Sequence, residues 1–423
     1  MRTAPAQPAA LQRYIDEARG LTIEDLVALA LKAPSILASR ARVDMARGDL
    51  AQAGLRPNPT ASFERRDEIG GADNQLMAGI TWPLDLSRKS GRTDVARQQL
   101  VGAEQVAADL ERQLAATVRR QASRLLAAVR QLEIQETISN AARQTRELLA
   151  ARAESGAGLP LERDIADVEW RRAEADLARQ RAGADTALAE LRALVGLPAE
   201  TPLFLSETLE AAARRRATEP PSALDAAAIA RTVDARPDVR AAESQIALAA
   251  ARTDLLRRDA RPDVSLIGSY MRMDAGFSQL GLDAGGQAVP IRGVFHNATF
   301  GAMVSLPWRN RQQGAIAAST AAESAARHDL EALRLSVSAQ IDAARVREEQ
   351  AGRVWEIYSG GLRDLAAKNL EVTRESHRLG RATLVQVLAE TRRYLEVETA
   401  YTGALLDTLD ARFALASALG VIR

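Results

Sequence analysis

The side chains that usually make and break bonds are sparse in this chain and nowhere gathered. There is no cysteine, and the three histidines, His296, His328 and His377, stand far apart with no metal-ligand spacing between them. No glycine-rich phosphate loop or nucleophile elbow occurs, and Gly70-Gly71 and Gly285-Gly286 fall where hairpin turns are expected. No convergent set of acid, base and nucleophile is present, so neither an enzyme nor a cofactor is expected. The polar and ionisable residues in notable positions are those just past two glycine turns. Glu162, Asp164 and Asp167 follow Gly156 and Gly158, and Gln386 and Glu390 follow Gly380 and Arg381. Acids in the first turns of a helix are favoured by the helix dipole whatever further role they have.

Charge narrows the classes further. The 56 basic and 55 acidic residues balance, and no basic block stands apart, so nucleic acid is not an expected partner. Only Lys32, Lys89 and Lys368 are lysines. The lack of cysteine excludes disulfides, thiolate metal sites and a lipid-bearing N-terminal cysteine, and it is compatible with an oxidising compartment.

The elements that position the glycine turns are long helices. Trp308 to Arg423 contains no proline in 116 residues and is rich in Ala, Leu, Arg, Glu and Gln, a composition with helical propensity almost throughout. Its interruption is Leu379-Gly380-Arg381-Ala382-Thr383, where one helix ends on glycine and the next is capped by threonine. The first arm, Asn310 to about His377, would be about 100 Å long at 1.5 Å per residue. A shift of 224 residues maps Pro83 onto Pro307, Gly156 onto Gly380 and Gly196 onto Gly420, and Arg56-Pro57 matches Arg261-Pro262 at a shift of 205. The chain is a tandem duplication in which the second copy has an enlarged loop.

The spacing divides the chain as follows. Residues 1–20, rich in alanine and proline, are read as a disordered N-terminal segment without the apolar stretch of a secretion signal; a trimmed or misplaced start reconciles that with an exported protein. The first repeat, 21–198, holds a short helix from Pro34 to about Leu55, a β-hairpin at about 60–82, a long helix at about 88–154 and a returning helix at 161–195. A linker spans 199–222. The second repeat, 223–420, holds a short helix from Pro237 to about Asp259, a hairpin at about 263–307, a long helix at about 310–377 and a returning helix at 384–419. At the start of the first repeat, Thr22 is placed to cap a helix with Asp25 three residues on.

The hairpins alternate with period two. Leu76, Ala78, Ile80 and Trp82 face one way and Gln75, Met77, Gly79 and Thr81 the other; Val264, Leu266, Gly268 and Tyr270, returning through Ala298, Phe300, Ala302, Val304 and Leu306, repeat the pattern. A sheet apolar on one side, with Trp82 and Trp308 beside the closing prolines at one end, suits a transmembrane barrel wall with an aromatic girdle in lipid. Two hairpins give four strands, whereas membrane barrels begin at about eight. One chain cannot close a barrel, and open sheet edges cannot face lipid. Three chains would give twelve strands. The helices agree with a tube: Val106, Leu110, Leu114, Val118, Leu125, Val129 and Leu132 form a narrow stripe at about 3.7 residues per turn, near the straight-helix period.

The order helix, Arg-Pro, hairpin, Pro, long helix, Gly turn, returning helix, Leu-Gly, given twice, resembles the TolC-like outer-membrane efflux factor family. The pieces that carry the resemblance are Arg56-Pro57-Asn58-Pro59, Ala260-Arg261-Pro262-Asp263-Val264-Ser265, Arg309-Asn310-Arg311-Gln312-Gln313-Gly314 and Leu384-Val385-Gln386-Val387-Leu388. The Arg309–Gly314 run is similar, more narrowly, to members paired with heavy-metal and related cation pumps. The resemblance implies a mainly α fold with a small β part: duplicated α-hairpins forming a trimeric helical barrel, four antiparallel strands per chain entering a 12-stranded transmembrane barrel, and an equatorial belt at the linker. It implies a homotrimeric duct through the outer membrane of a Gram-negative bacterium into the periplasm, fed by an inner-membrane pump through a periplasmic adaptor. Gly156, Gly158, Gly380 and Arg381 would form the tip turns where the adaptor docks. Glu162, Asp164, Asp167, Gln386 and Glu390 would line a gate, where family members place a ring of carboxylates; Gln386 departs from that pattern. The competing expectation is a soluble coiled-coil scaffold, which accounts for the helices and leaves the amphipathic hairpins unexplained.

Overall fold

Helix-forming stretches bounded by glycine and proline, interrupted twice by alternating strands, fold as that pattern dictates. The computed structural model describes residues 11–69, 71, 73–156, 159–217 and 226–420. A short 3-10 turn at Leu11–Arg13 precedes α1 (Ile23–Ala30) and α2 (Pro34–Ala53); β1 (Thr60–Asp67) and β2 (Asn74–Pro83) follow, then α3 (Arg88–Glu154) and α4 (Pro160–Leu194). After α5 (Leu209–Ala217) and α6 (Ala226–Ala235), the same sequence of elements recurs: α7 (Pro237–Asp259), β3 (Asp263–Leu282), β4 (Ala288–Ser305), α8 (Gln313–Ile357), α9 (Arg363–Arg378) and α10 (Leu384–Ala418). The fold is mainly helical with one small sheet.

The landmarks of the duplication are the residues where the backbone turns left-handed. Gly156, Gly196, Gly380 and Gly420 all have φ between +72° and +76°. The turns after Leu194 and Arg378 each close with a backbone bond spanning five residues, Leu197 N–H to the Arg192 carbonyl at 2.9 Å and Arg381 N–H to the Ser376 carbonyl at 2.8 Å. That is the Schellman arrangement, in which a residue without Cβ stands just past the helix end. The repeat was visible in sequence because this backbone position admits almost nothing but glycine.

Two corrections to the sequence reading concern continuity. The expected single helix over 310–377 is broken by a π-helical segment at Tyr358–Leu362, where Gly361 lies at φ +121°, ψ −11°. The corresponding positions of the first repeat, Glu136 and Thr137, continue α3 unbroken. The described part of the N-terminal segment expected to be disordered, residues 11–20, is ordered. Tyr14 and Ile15 are buried, the Tyr14 hydroxyl donates to Asp185 at 2.8 Å, and Ile15 and Leu21 both bridge to Leu205. Burial, with this bond to a carboxylate, pushes the Tyr14 phenol up to about 12. Residues 1–10, and 218–222 of the expected linker, lie outside the described residues.

The chain divides into two units. One comprises residues 1–41, 106–239 and 332–423; the other comprises 42–105 and 240–331. The core of the first unit joins α1, α3, α4, α5 and α10 through Leu26, Val118, Leu125, Leu126, Leu132, Leu188, Leu191, Leu209, Leu405 and Leu409. Fully buried alanines at 122, 184, 212 and 213 let the helix backbones approach closely. From Val118 to Leu132 the apolar stripe of α3 is buried as its spacing predicts, but Val106 remains exposed. The Thr22 cap forms reciprocally, with Asp25 N–H donating to Thr22 Oγ1 at 3.1 Å and Thr22 N–H to Asp25 Oδ2 at 3.0 Å; a shorter acid thus fills the place usually taken by Glu or Gln.

The second unit carries the sheet, antiparallel throughout in the order β1-β2-β3-β4. Its loops to the long helices are tight. Asp85 and Gln312 adopt positive φ, and Arg92 holds the buried Asp85 carboxylate at 2.6 Å. In the Arg309–Gly314 run, Gln312 N–H donates to Asn310 Oδ1 and Gln313 Nε2 donates to the Arg309 carbonyl, each at 3.0 Å. These side chains are therefore engaged in turning the chain into α8.

Candidate functional site: the helical tips and the sheet face

In the first unit, α3 and α4 meet at one glycine turn and α9 and α10 at another. The two differ in how the returning helix starts. Helix α4 begins on Pro160, whose missing N–H costs nothing in a first turn, and it has no side-chain cap. Helix α10 begins on Thr383 with a full capping box. Gln386 N–H donates to Thr383 Oγ1 at 3.3 Å, and Gln386 Oε1 accepts from Thr383 N–H at 2.8 Å. Gln386 is the residue 224 positions after Glu162, so the same repeat position holds a cap in one copy and a carboxylate in the other. His377 Nδ1 is 2.8 Å from the Ala382 carbonyl, which can only accept, so the proton sits on Nδ1 and ties the second turn together.

The candidate acids are not equivalent. Asp164 is bonded by Arg163 at 2.7 Å. Asp167 lies between Arg171 at 2.8 Å and Arg146 at 2.7 Å, and these two bonds hold its carboxyl below the usual range. Arg146 also lies 4.5 Å over the Trp170 ring. Glu390 is bonded by Arg393 at 2.7 Å. Glu162, half-buried, is the one candidate acid with no ion pair among the described residues. Beneath the turns, Leu149, Ala166 and Leu384 are buried with Ile165 and Leu388 packed on them, and Arg392 reaches Glu169 at 2.9 Å to tie α10 to α4. Arg381 is exposed beside Gly380, as are Leu161 and its repeat counterpart Val385. Gly158 lies outside the described residues.

Sequence reasoning missed a buried charge network in this unit. Glu398, 1% exposed, accepts from Arg130 at 3.0 Å and Arg363 at 2.7 Å; both arginines also face Glu210, at 2.8 and 3.5 Å, and both lie over the Tyr401 ring. Burial pushes the adjacent Glu133 carboxyl up. Arg363 is the first residue after the π-helical segment, so the break in the long helix is what brings it to Glu398. The four residues come from α3, α5, α9 and α10, and no spacing within the sequence joins them.

In the second unit the strand register sorts side chains into rows. Ala61, Ile80, Gly268 and Phe300 oppose one another across the four strands, as do Phe63, Ala78, Tyr270 and Ala298. Trp82, Leu266 and Ala302 form a third row and Val264 with Val304 a fourth. This face is apolar and uncovered: Phe300 is 87% exposed, Phe63 70%, and Ile80, Trp82, Leu266, Tyr270 and Val304 are all exposed. Trp308, just past β4, is exposed as well. The reverse face carries Ser62, Gly79, Ser269 and Thr299 in one row and Thr81 with Ile267 and Gly301 in another. Strands β1 and β4 end the sheet, and among the described residues each has a partner on one side only. Among the described residues, no helix is long and apolar enough to cross a membrane. No three His, Asp or Glu side chains are grouped to hold a metal ion among the described residues.

Residues 26–197 match the sequence profile of the outer membrane efflux protein family. A comparison with curated protein sequences gives no match. Solved structures align with almost the entire chain. A structure of CusC, described as forming a transmembrane channel, superposes at TM-score 0.74 with 15% identity, covering 99% of this chain and 95% of its own. The outer membrane protein VceC of Vibrio cholerae aligns at TM-score 0.70 with 18% identity over 94% and 96% of the two chains. The open state of the MtrE outer membrane channel of Neisseria gonorrhoeae aligns at TM-score 0.75 with 19% identity over 94% and 88%. Residues 26–197 thus match the outer membrane efflux protein family model, and the chain as a whole shares the fold of these outer-membrane channel structures.

Proposed function

We propose that this chain is one subunit of a homotrimeric outer-membrane duct that passes substrates from an inner-membrane pump and a periplasmic adaptor to the exterior. The observation that carries the reading is the sheet: four strands with an uncovered apolar face, a small and polar reverse face and two open edges. An exposed edge in lipid leaves backbone groups unpaired at several kcal/mol each, so a lipid-facing sheet of this kind must join others. Three copies give twelve strands, enough to close a barrel with a water-filled interior. Trp82 and Trp308 then sit in the aromatic girdle at the periplasmic side. A soluble coiled-coil scaffold accounts for the helices and leaves a sheet with large exposed apolar side chains uncovered, and it is not favoured.

The glycine turns at Gly156, Gly158 and Gly380, with Arg381, form the periplasmic tips. The exposed Leu161 and Val385 present apolar surface there for adaptor hairpins. A threefold ring of Glu162 gives a mouth with three carboxylates that no neighbouring arginine neutralises, and such a ring attracts cations and repels anions. Asp164, Asp167 and Glu390 contribute less field because each is paired with arginine, and Gln386 is used as a cap. Selection of substrate rests with the pump, and the Arg309–Gly314 run, similar to that of members paired with heavy-metal and related cation pumps, makes a pump of that class the expected partner.

The test is to express the chain behind a secretion signal, extract outer membranes in detergent, determine mass by light scattering and measure conductance in planar bilayers. A conducting trimer is expected. In it, Glu162→Gln lowers the cation-to-anion permeability ratio, whereas Asp164→Asn changes it less. Soluble monomers or dimers that never enter membranes would sink the reading.

A further inference from the structure

The register of the sheet brings together residues that are far apart in sequence. Arg65 opposes Leu76, Leu76 opposes Arg272 and Arg272 opposes His296, so three basic or protonatable side chains lie in one row on the apolar face. All three are exposed. From Val304 to His296 is eight residues, about 27 Å along the strand at 3.4 Å each and about 20 Å along the membrane normal at the usual ~40° tilt. The row therefore falls near the far boundary of an apolar band about 25 Å tall, at the end remote from Trp82.

Charge in the next row outward is already engaged. Asp67 is bonded by Arg65 at 3.0 Å, and Asp274 by Arg292 at 3.1 Å, with Asp73 at 3.6 Å from the same guanidinium. No carboxylate forms an ion pair with Arg272 among the described residues. His296 Nδ1 is 2.6 Å from the Tyr270 hydroxyl; with the phenol donating, the imidazole keeps its proton on Nε2 as a second donor beside Arg272. A guanidinium at an interface, with hydrocarbon surface on one side and a hydrogen-bond donor next to it, suits an amphiphile whose tails cover the apolar rows and whose head is an anionic phosphate.

Resting on the duct reading above, we propose that the Arg65–Arg272–His296 row binds the phosphate of an anionic lipid in the outer leaflet, with Arg272 as the principal contact. The site selects lipid, because the same molecule must satisfy the Phe63, Tyr270 and Phe300 surface directly beneath the row.

The test uses the detergent-extracted full chain and phosphatidylcholine vesicles with or without phosphatidic acid. The readout is binding and insertion by flotation, with inorganic phosphate as a competitor. The expected result is insertion into both vesicles with tighter binding to those containing phosphatidic acid. About fivefold of that preference should be lost in Arg272→Gln, and a further loss seen in the Arg65→Gln, Arg272→Gln double variant. Both variants keep insertion into phosphatidylcholine, which separates loss of the site from misfolding. Equal binding to both vesicles, or a preference unchanged in the double variant, overturns the proposal and leaves the duct reading standing. Free phosphate abolishing the preference at the concentration present as lipid identifies a simple anion site and overturns the lipid assignment. Failure to insert into either vesicle overturns the duct reading and this proposal with it.

Discussion

Single residues in this chain are informative where their surroundings contradict their chemistry. Asp410 on α10 is the clearest case. Burial pushes its carboxyl up to about 6 against the pull of Arg124 and Arg120, with Asp407 adding to the rise, and its Oδ1 is buried without a partner. The folded state thus binds a proton more tightly than the unfolded chain, whose aspartate titrates near 3.8. Folding takes up a proton between about pH 4 and 6, and stability falls as pH rises through that window. Asp410→Asn should therefore stabilise the protein at pH 7 by on the order of 2 kcal/mol and by nothing below about pH 4. Chemical unfolding of both proteins at about pH 3.5, 5 and 7 checks this; a gain independent of pH would show that ionisation is not the cause. Nothing in sequence singled out Asp410. An aspartate in an amphipathic helix looks the same whether its oxygens meet water or a neighbouring helix, and only packing tells them apart.

At the scale of elements, legibility followed backbone geometry. The strands and most helices could be placed because their limits are fixed by residues with a single conformational role, prolines at strand ends and glycines at left-handed turns. The break at Tyr358–Leu362 was missed because Gly360-Gly361 lies inside a long run of good helix formers, where a glycine is normally only a mild cost. The break is at Gly361, with φ +121°, and it sets Arg363 against Glu398, a contact across 35 residues that no local pattern reports. The same reasoning separates two glycines of one helical arm. Gly352 is helical with open space where a Cβ would go, so Gly352→Ala should raise stability by about 0.5–1 kcal/mol. Gly361 also has open space but sits at φ +121°, so Gly361→Ala should lower stability by about 1–3 kcal/mol through backbone strain. Thermal unfolding of the two variants side by side gives opposite shifts if the π-helical break exists in solution, and parallel gains if α8 and α9 are one straight helix. The candidate site divides along the same line. The positions of Glu162 and Gln386 could be read from the glycine turns. Which acids are neutralised could not, because Arg146 approaches Asp167 from another helix.

For the whole molecule, the decisive question is which way the sheet faces, and neighbouring residues on β4 answer it. Phe300 lies in the middle of the apolar face in the row with Ala61, Ile80 and Gly268, and Thr299 lies on the reverse face opposite Ser269. If three chains close a barrel in lipid, an arginine at 300 is driven into hydrocarbon near mid-depth, at a cost of about 2–4 kcal/mol per chain and three times over in the assembly. An arginine at 299 enters the water-filled interior, where a charge is readily solvated and acts on permeating ions. Phe300→Arg should therefore abolish recovery of the trimer from outer membranes, and Thr299→Arg should preserve the trimer and shift its ion selectivity towards anions. The reverse outcome would mean that the small, polar face meets the lipid, which the open rows of Ser62, Ser269 and Thr299 could not tolerate. Equal tolerance of both would mean that neither face is in lipid, and the two open edges would then be paired within a soluble assembly. The two substitutions differ by one residue in sequence and by one side of a sheet, so the comparison holds size, charge and strand position nearly constant and isolates the direction of the membrane.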